Sequence, residues 1–547
     1  MKPQYALGID FGTESGRVML AKLDGGEAAW SDREEAAWSV VPYTHGAMDT
    51  ALPDGTRLAH DWAVQDPLDW IKVLREGIPD VLRKSGVSAD QIVGVGTDFT
   101  ACTMLPTLAD GTPLSTLPRF ASNPHAWAKL WKHHAAQPEA TKIEQTAAEL
   151  GEECLKPYNG KFSSEWFFSK VLEILNDAPE VYTAAARMIE AADWITWRMT
   201  GNERRNECCA GYKDMWIKGR GYASRAFFRA LHPGLENVAE EKLSTTMYPL
   251  GSAAGGLTPE MAALTGLRPG TPVAVGVIDA HAGVPGCGVT RPGELVMIMG
   301  TSLCHMLLAE KGRYIEGVAG VVEDGILPGY WGYEAGQAAV GDLYGWFFRA
   351  FGVNADDVTA EAAKLKPGAT GLVALDWWNG NRSVLMNADL TGVLLGATLN
   401  TTPADIYRAL VEATAFGTYT VIRAFEQEGV PIDKLVACGG LAQKSPLVMQ
   451  VFADVTNREI FLPRSLQASG LGAAMHGAVA AGAFTGFDEA ARAMSGGFTQ
   501  TYRPNGAAHA VYERVYSEYL RLHDWFGRGG NDAMQRLKSL KLEVSAG

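Results

Sequence analysis

From its amino end the chain opens on an apolar run, "YALGID", interrupted by polar residues from Gly12 to Gly16 and resumed in "GRVMLAKL". Two apolar runs joined by so short a polar link predict a β-hairpin. Apolar, β-branched runs at "IVGVGTDF" and "PVAVGVID" predict further strands, each with an aspartate toward its carboxyl end. That end is where open α/β sheets place their sites. Between these runs the apolar spacing turns helical, as in "EWFFSKVLEILND" and "ADWITWRMTG". The second of these closes on Gly201, a residue suited to the position after a helix.

Past Arg291-Pro292-Gly293 the pattern begins again. Setting "IDFGTESGRVMLAKL" over "IMGTSLCHMLLAEKG" aligns Gly12-Thr13 with Gly300-Thr301, and each pair leads into an apolar strand. Two related halves are expected, each opening on a Gly-Thr hairpin. In this register Ile298 stands where Asp10 does, so only the first hairpin is equipped to position a metal. In the second half, Thr402, Pro403 and Asp405 have the order of an N-cap and first helical turn. Ile406, Ala409, Leu410, Ala413 and Phe416 mark one apolar helix face, and Gly429 stops the run. The small-residue run "SGLGAAMHGAVAAGAF" reads as a closely packed helix or a nucleotide-facing loop, packing being favoured. "ERVYSEYLRLHDWF" near the end reads as a helix.

Composition narrows the class. A chain of 547 residues exceeds what one core usually supports, so two domains are expected. The 47% hydrophobic and 20% charged residues are those of a soluble protein, and a net charge of −14 disfavours nucleic-acid or anionic-membrane partners. Seven cysteines form no CxxC pair and no metal-ligand spacing, and adjacent Cys208 and Cys209 suit no ordinary disulfide. With no apolar signal core before Asp10 and no run of roughly 18 apolar residues, a cytoplasmic location is expected.

Candidate chemistry emerges by exclusion. There is no GxxxxGK[ST] loop, no GxGxxG opening a βα unit and no HRD loop, so "DFG" at 10–12 is not a protein-kinase signature. What remains is a hairpin whose glycines, Gly12 and Gly16, permit positive φ and close backbone approach, and whose Thr13 and Ser15 add hydroxyl donors for an anion. Asp10 beside it could hold a hydrated Mg²⁺ shared with phosphates. A plain polar turn is the competing reading. Asp279 ends a strand and is followed by the small residues Ala280, Ala282 and Gly283, which leave room for a ligand. It reads either as a proton acceptor for an attacking hydroxyl or as a helix N-cap. Strand alternation would turn His281 to the opposite face. His133 and His134 read as decoration of a helix surface, Trp377 and Trp378 as core before sugar platform, and Lys213 and Glu334 as surface charges.

Taken together, "GIDFGTESGR", "GVIDAHAGVPGCG", "GELVMIMGTS", "LTGVLLG" with "DIYRALVEATAFGT", "CGGLAQKSPLVMQVFADVTNREI" and "SGLGAAMHGA" resemble the FGGY family of carbohydrate kinases, in the family's order. The resemblance implies two α/β domains with ribonuclease-H-like sheets of the actin and hexokinase type around a cleft. Residues 1–288 would carry the sugar site, the first phosphate hairpin and the catalytic aspartate, and residues 289–547 the second hairpin and the adenosine site. It implies ATP and Mg²⁺, with Asp10 positioning the metal. Gly12, Thr13 and Arg17 would form one phosphate hairpin and Gly300, Thr301 and Ser302 the other, with Gly439, Gly440 and Gln443 along the adenosine. Asp279 would be the base, and Ala101, Lys213, Asp279 and Glu334 would line the sugar. Further segments, "DFTACTMLP", "GKFSSEWFFSK", "GYKDMW" and above all "LDWWNGNRS", are similar to the members that convert L-ribulose to its 5-phosphate in L-arabinose catabolism. Partners would be sugar and ATP, with no nucleic acid or membrane, and a homodimer stays open. Another ketopentose or a polyol such as xylulose or ribitol as acceptor stays open too, as does an actin-like ATPase that phosphorylates nothing.

Overall fold

The computed structural model describes residues 3–24 and 38–545. The predicted hairpin forms from β1 (Tyr5–Phe11) and β2 (Ser15–Lys22), followed by β3 (Trp38–Pro42), β4 (Ile92–Phe99), β5 (Ala253–Gly256) and β6 (Pro272–Ala274). These assemble in the order β5-β6-β4-β1-β2-β3. β1 runs antiparallel to β2 and parallel to β4, and β4 runs parallel to β6. The stretch "PVAVGVID" is two short strands rather than one: β6 and Val277–Ile278 both pair with β4, interrupted at Gly276, which faces the backbone of Ala192.

The second sheet repeats the plan with β7 (Glu294–Met299), β8 (Leu303–Ala309), β9 (Gly320–Glu323), β10 (Trp331–Gln337), β11 (Lys434–Cys438), β12 (Ile460–Pro463) and β13 (Phe498–Tyr502). Its order is β9-β10-β8-β7-β11-β12-β13. Each sheet thus has a central strand, an antiparallel hairpin partner on one side and parallel strands on the other. This is the ribonuclease-H-like topology, present twice.

Helices cover the sheets as their apolar faces require. α1 (Pro67–Ser85), capped by Asp66, lays Trp70, Val73 and Ile78 against β2 and β3. α2 (Asp279–Gly286) follows Val277–Ile278 directly. α3 (Pro403–Gln427) has the capping box expected of Thr402 and Asp405 and buries Ala409, Leu410, Ala413 and Phe416. The small-residue run is a helix, α4 (Ala468–Ala480). Although it belongs to the second half of the sequence, it lies on the first sheet. A Cβ built on Gly8, Gly94 or Gly96 would overlap a carbonyl oxygen of α4, at Gly470, Gly477 and Ala473 respectively. α2 crosses α4 with equal intimacy, Gly472 against the Ala282 carbonyl and Gly286 against that of Ala468. Ala282 therefore serves helix crossing and leaves no space for a ligand. α5 (Gly506–Gly527) packs Tyr512, Tyr516 and Tyr519 around Phe416 of α3.

Other expectations resolve through packing. Trp377 is core, 1% exposed. His133 is not on a helix surface. It is fully buried and bonded to Glu173, with Nε2 2.9 Å from Oε2, and Lys129 lies at 2.9 Å from the same carboxylate. All seven cysteines are free. Among the described residues no helix is long and apolar enough to cross a membrane.

Candidate active site

The two hairpins stand at equivalent ends of their sheets. In the first, Asp10 and Arg17 are register partners, and Arg17 Nη1 donates to Asp10 Oδ2 at 2.9 Å. Gly12 N–H closes the turn on the Ser15 carbonyl at 3.1 Å. Neither Gly12 nor Gly16 adopts positive φ. Gly16 is instead required by packing, because a Cβ there would stand 2.5 Å from a methyl of Val73. The Thr13 carbonyl accepts from Gln65 Nε2 and its hydroxyl accepts from Trp131 Nε1, so the turn is held from outside while the hydroxyl proton stays free to donate.

In the second hairpin, Gly300 N–H bonds the Ser302 carbonyl at 2.9 Å. Its carbonyls are tied down in turn, Gly300 by the N–H of Gly341 and Thr301 by those of Val340 and Asp342. Gly439 has φ of 91°, and a Cβ on it would stand 2.5 Å from the Met299 carbonyl. The loop from Gly439 to Gln443 is thereby pressed against the base of this hairpin. Gly440 has open space beside it.

Three carboxylates gather at the carboxyl ends of the first sheet. Asp10 on β1 and Asp98 on β4 are direct register partners, and Asp98 is also aligned with Val277, two residues before Asp279. Asp98 is fully buried beside Asp10. Burial, then the charges of Asp10 and Asp279, push its pKa well above the carboxylate range. Asp279 lies in the first turn of α2, where Oδ1 accepts from Ala280 N–H at 2.6 Å. Burial and then Asp10 push its pKa up to about 7. Asp98 was legible as a strand-end acid but carried no motif of its own.

The supposed surface charges meet in the interior. Lys213, ending the helix Glu207–Lys213 in the first half, places Nζ 3.0 and 2.9 Å from the two carboxylate oxygens of Glu334 on β10. Burial disfavours the lysine charge, but Glu334 outweighs it and raises the Lys213 pKa; burial likewise works to raise that of Glu334, but Lys213 outweighs it and the net shift is downward. His281 is not turned away, because Asp279 opens a helix rather than continuing a strand. Its Nε2 lies 3.6 Å from Glu334 Oε2 and its ring 4.3 Å from that of Tyr212. Burial holds its pKa down at about 4, so the imidazole is neutral. Ala101, half-buried just beyond β4, precedes Cys102, whose carbonyl accepts from the buried Lys170 at 2.6 Å.

Comparisons with known proteins give the family and the fold. The FGGY family of carbohydrate kinases matches by its N-terminal domain over residues 5–286 and by its C-terminal domain over 295–481. A protein named ribulokinase from Halalkalibacterium halodurans is 52% identical over 99% of this chain and 98% of its own length. One of the same name from Geobacillus thermodenitrificans is 53% identical over the same shares. Among solved structures, a xylulose kinase from Rhodospirillum rubrum superposes with a TM-score of 0.78 at 21% identity, covering 95% of this chain and 98% of that one. A ligand-bound xylulose kinase from Lactobacillus acidophilus gives 0.79 at 17% identity, covering 95% and 98%. Two hairpins, a carboxylate cluster and a duplicated sheet thus accompany matches that span the chain from residue 5 to 481, and the chain belongs to the FGGY family of carbohydrate kinases.

Proposed function

We propose that the chain transfers the γ-phosphoryl group of ATP to the C5 hydroxyl of L-ribulose, giving ADP and L-ribulose 5-phosphate. The observation that carries the reading is the place of Asp279, at the head of α2 between the Asp10 hairpin and the Lys213–Glu334 pair. Full-length likeness to proteins named ribulokinase supports the choice of sugar.

The chemistry follows from the groups present. Asp279 takes the proton of the C5 hydroxyl as its oxygen attacks the γ-phosphorus. The new P–O bond forms to the sugar, the bond to the β,γ-bridging oxygen breaks, and ADP keeps that electron pair. Arg17 and the Thr13 hydroxyl serve the phosphates from one jaw. Thr301, Ser302 and the amides of the second hairpin serve them from the other, and Gly439, Gly440 and Gln443 run along the adenosine. Lys213, Glu334 and Ala101 orient the sugar, the charged pair by hydrogen bonds and the alanine by leaving space.

The carboxylate of Asp10, at the end of β1 with the buried Asp98 beside it, suits a hard cation that keeps its waters. When bound, Mg²⁺ would neutralise charge on the phosphates.

Asp279→Asn tests the assignment. Loss of about 100-fold or more in kcat, with ATP binding retained, is expected from removing a general base. An unimpaired variant rules Asp279 out. A panel of L-ribulose, xylulose and ribitol in a coupled ADP assay tests the acceptor, and ADP release indifferent to all of them would point to an ATPase that phosphorylates nothing.

A further inference from the structure

The segment "LDWWNGNRS" finds no part in the reaction above, yet it puts a cation over the active-site face of the second sheet. Arg382 packs on Gly336 of β10, where a Cβ would stand 3.2 Å from Arg382 Cδ and 3.6 Å from Nη1. Gly336 is two residues beyond Glu334 on the same strand, so both face the same side. It is paired in register with Cys304, which lies two residues after Ser302 of the second hairpin. The guanidinium therefore sits between the sugar-orienting pair and the phosphate hairpin. The charges of Arg382, Glu334, Asp279 and Lys213 all reach the Cys304 thiol through space.

The loop is built to hold this position. Ser383 Oγ accepts from the Gly336 N–H at 3.2 Å. Asn381 and Asn387 exchange backbone hydrogen bonds at 2.9 Å, and the Asn381 side chain accepts from Leu385 N–H at 2.9 Å. The loop starts from the buried Trp377. Among the described residues Arg382 makes no hydrogen bond or ion pair. Glu165 and Glu334 act on it only through space, and Glu334 is already engaged by Lys213. A guanidinium carried on so firmly tied a loop, without a carboxylate in contact, is ready for a multiply charged anionic acceptor that arrives and leaves.

We infer that Arg382 binds the phosphoryl group in flight and, once it is bonded to the sugar, the phosphate of the product. This rests on the kinase reading above. A neutral sugar hydroxyl needs no free cation, whereas the phosphoryl group carries its charge across this gap from ADP to the C5 oxygen while the hydroxyl proton goes to Asp279.

Calorimetric titration of Arg382→Gln and Arg382→Lys with L-ribulose and, separately, with L-ribulose 5-phosphate tests it. Arg382→Gln keeps a stem over Gly336 and should lose about 30-fold or more in affinity for the sugar phosphate, with sugar affinity within about threefold of the parent. Arg382→Lys should recover part of the loss, since it keeps the charge but not the two-pronged geometry, and kcat should follow the same order. Equal losses for both ligands would make Arg382 a sugar-binding residue and overturn the inference, as would unchanged affinity for the phosphate. If the parent protein binds neither ligand, the choice of sugar fails first, independently of Arg382.

Discussion

Asp279 illustrates how burial can tune one residue for a task. An ordinary aspartate is ionised far below neutral pH and makes a feeble base, while burial and the neighbouring Asp10 bring this one to about 7. The sign is set by the role proposed for it. A base works as the carboxylate, so kcat/KM for the sugar should fall about tenfold per pH unit on the acid side of about 7 and level off above it. Asp10→Asn removes one of the charges that raise Asp279, so it should move that acid limb to lower pH. A limb unmoved in the variant would show that Asp10 does not act on Asp279. At this scale the sequence was only partly readable. Strand-end acids such as Asp98 and Asp279 could be found from apolar runs that end at the site. Lys213 and Glu334 emerged only through the family resemblance, because charged residues look alike in composition whether they face water or each other across 121 positions. His133 misled for the same reason, its partner Glu173 lying 40 residues away.

Among the elements, the hairpins and α3 were legible because their signals are local: turn residues, an N-cap with its box, and a stopping glycine. α4 was harder, since small residues announce close approach but not what approaches. The sheet supplies the answer in Gly8, Gly94 and Gly96, each lacking the Cβ that would strike α4. Gly96→Val should therefore destabilise the protein by about 3 kcal/mol, read as a lower urea midpoint, since strand and helix backbones cannot part without losing their other contacts. Valine is a better strand former than glycine, so a gain in stability would show that packing does not decide this position.

For the whole molecule, the ion pair between Lys213 and Glu334 matters because its members come from different halves. Lys213→Met leaves a partly buried carboxylate without its cation and should cost about 2 kcal/mol, whereas combining Lys213→Met with Glu334→Leu should restore much of that loss. Thermal melts of the single and double variants separate the two cases, and equal destabilisation would mean the pair contributes no coupling. Sugar affinity should be lost in both, with ATP affinity kept, because the nucleotide is proposed to contact the hairpins and the Gly439 loop instead.

The seat of α4 also constrains how the protein is made. The first sheet is complete in sequence by Ile278, yet one of its faces stays bare until Ala468–Ala480 has left the ribosome. During synthesis of the intervening 189 residues that glycine-lined trench would be exposed, so the amino-terminal portion cannot finish folding as an independent nascent domain. The first sheet must wait for the chain's own last quarter to cover that face.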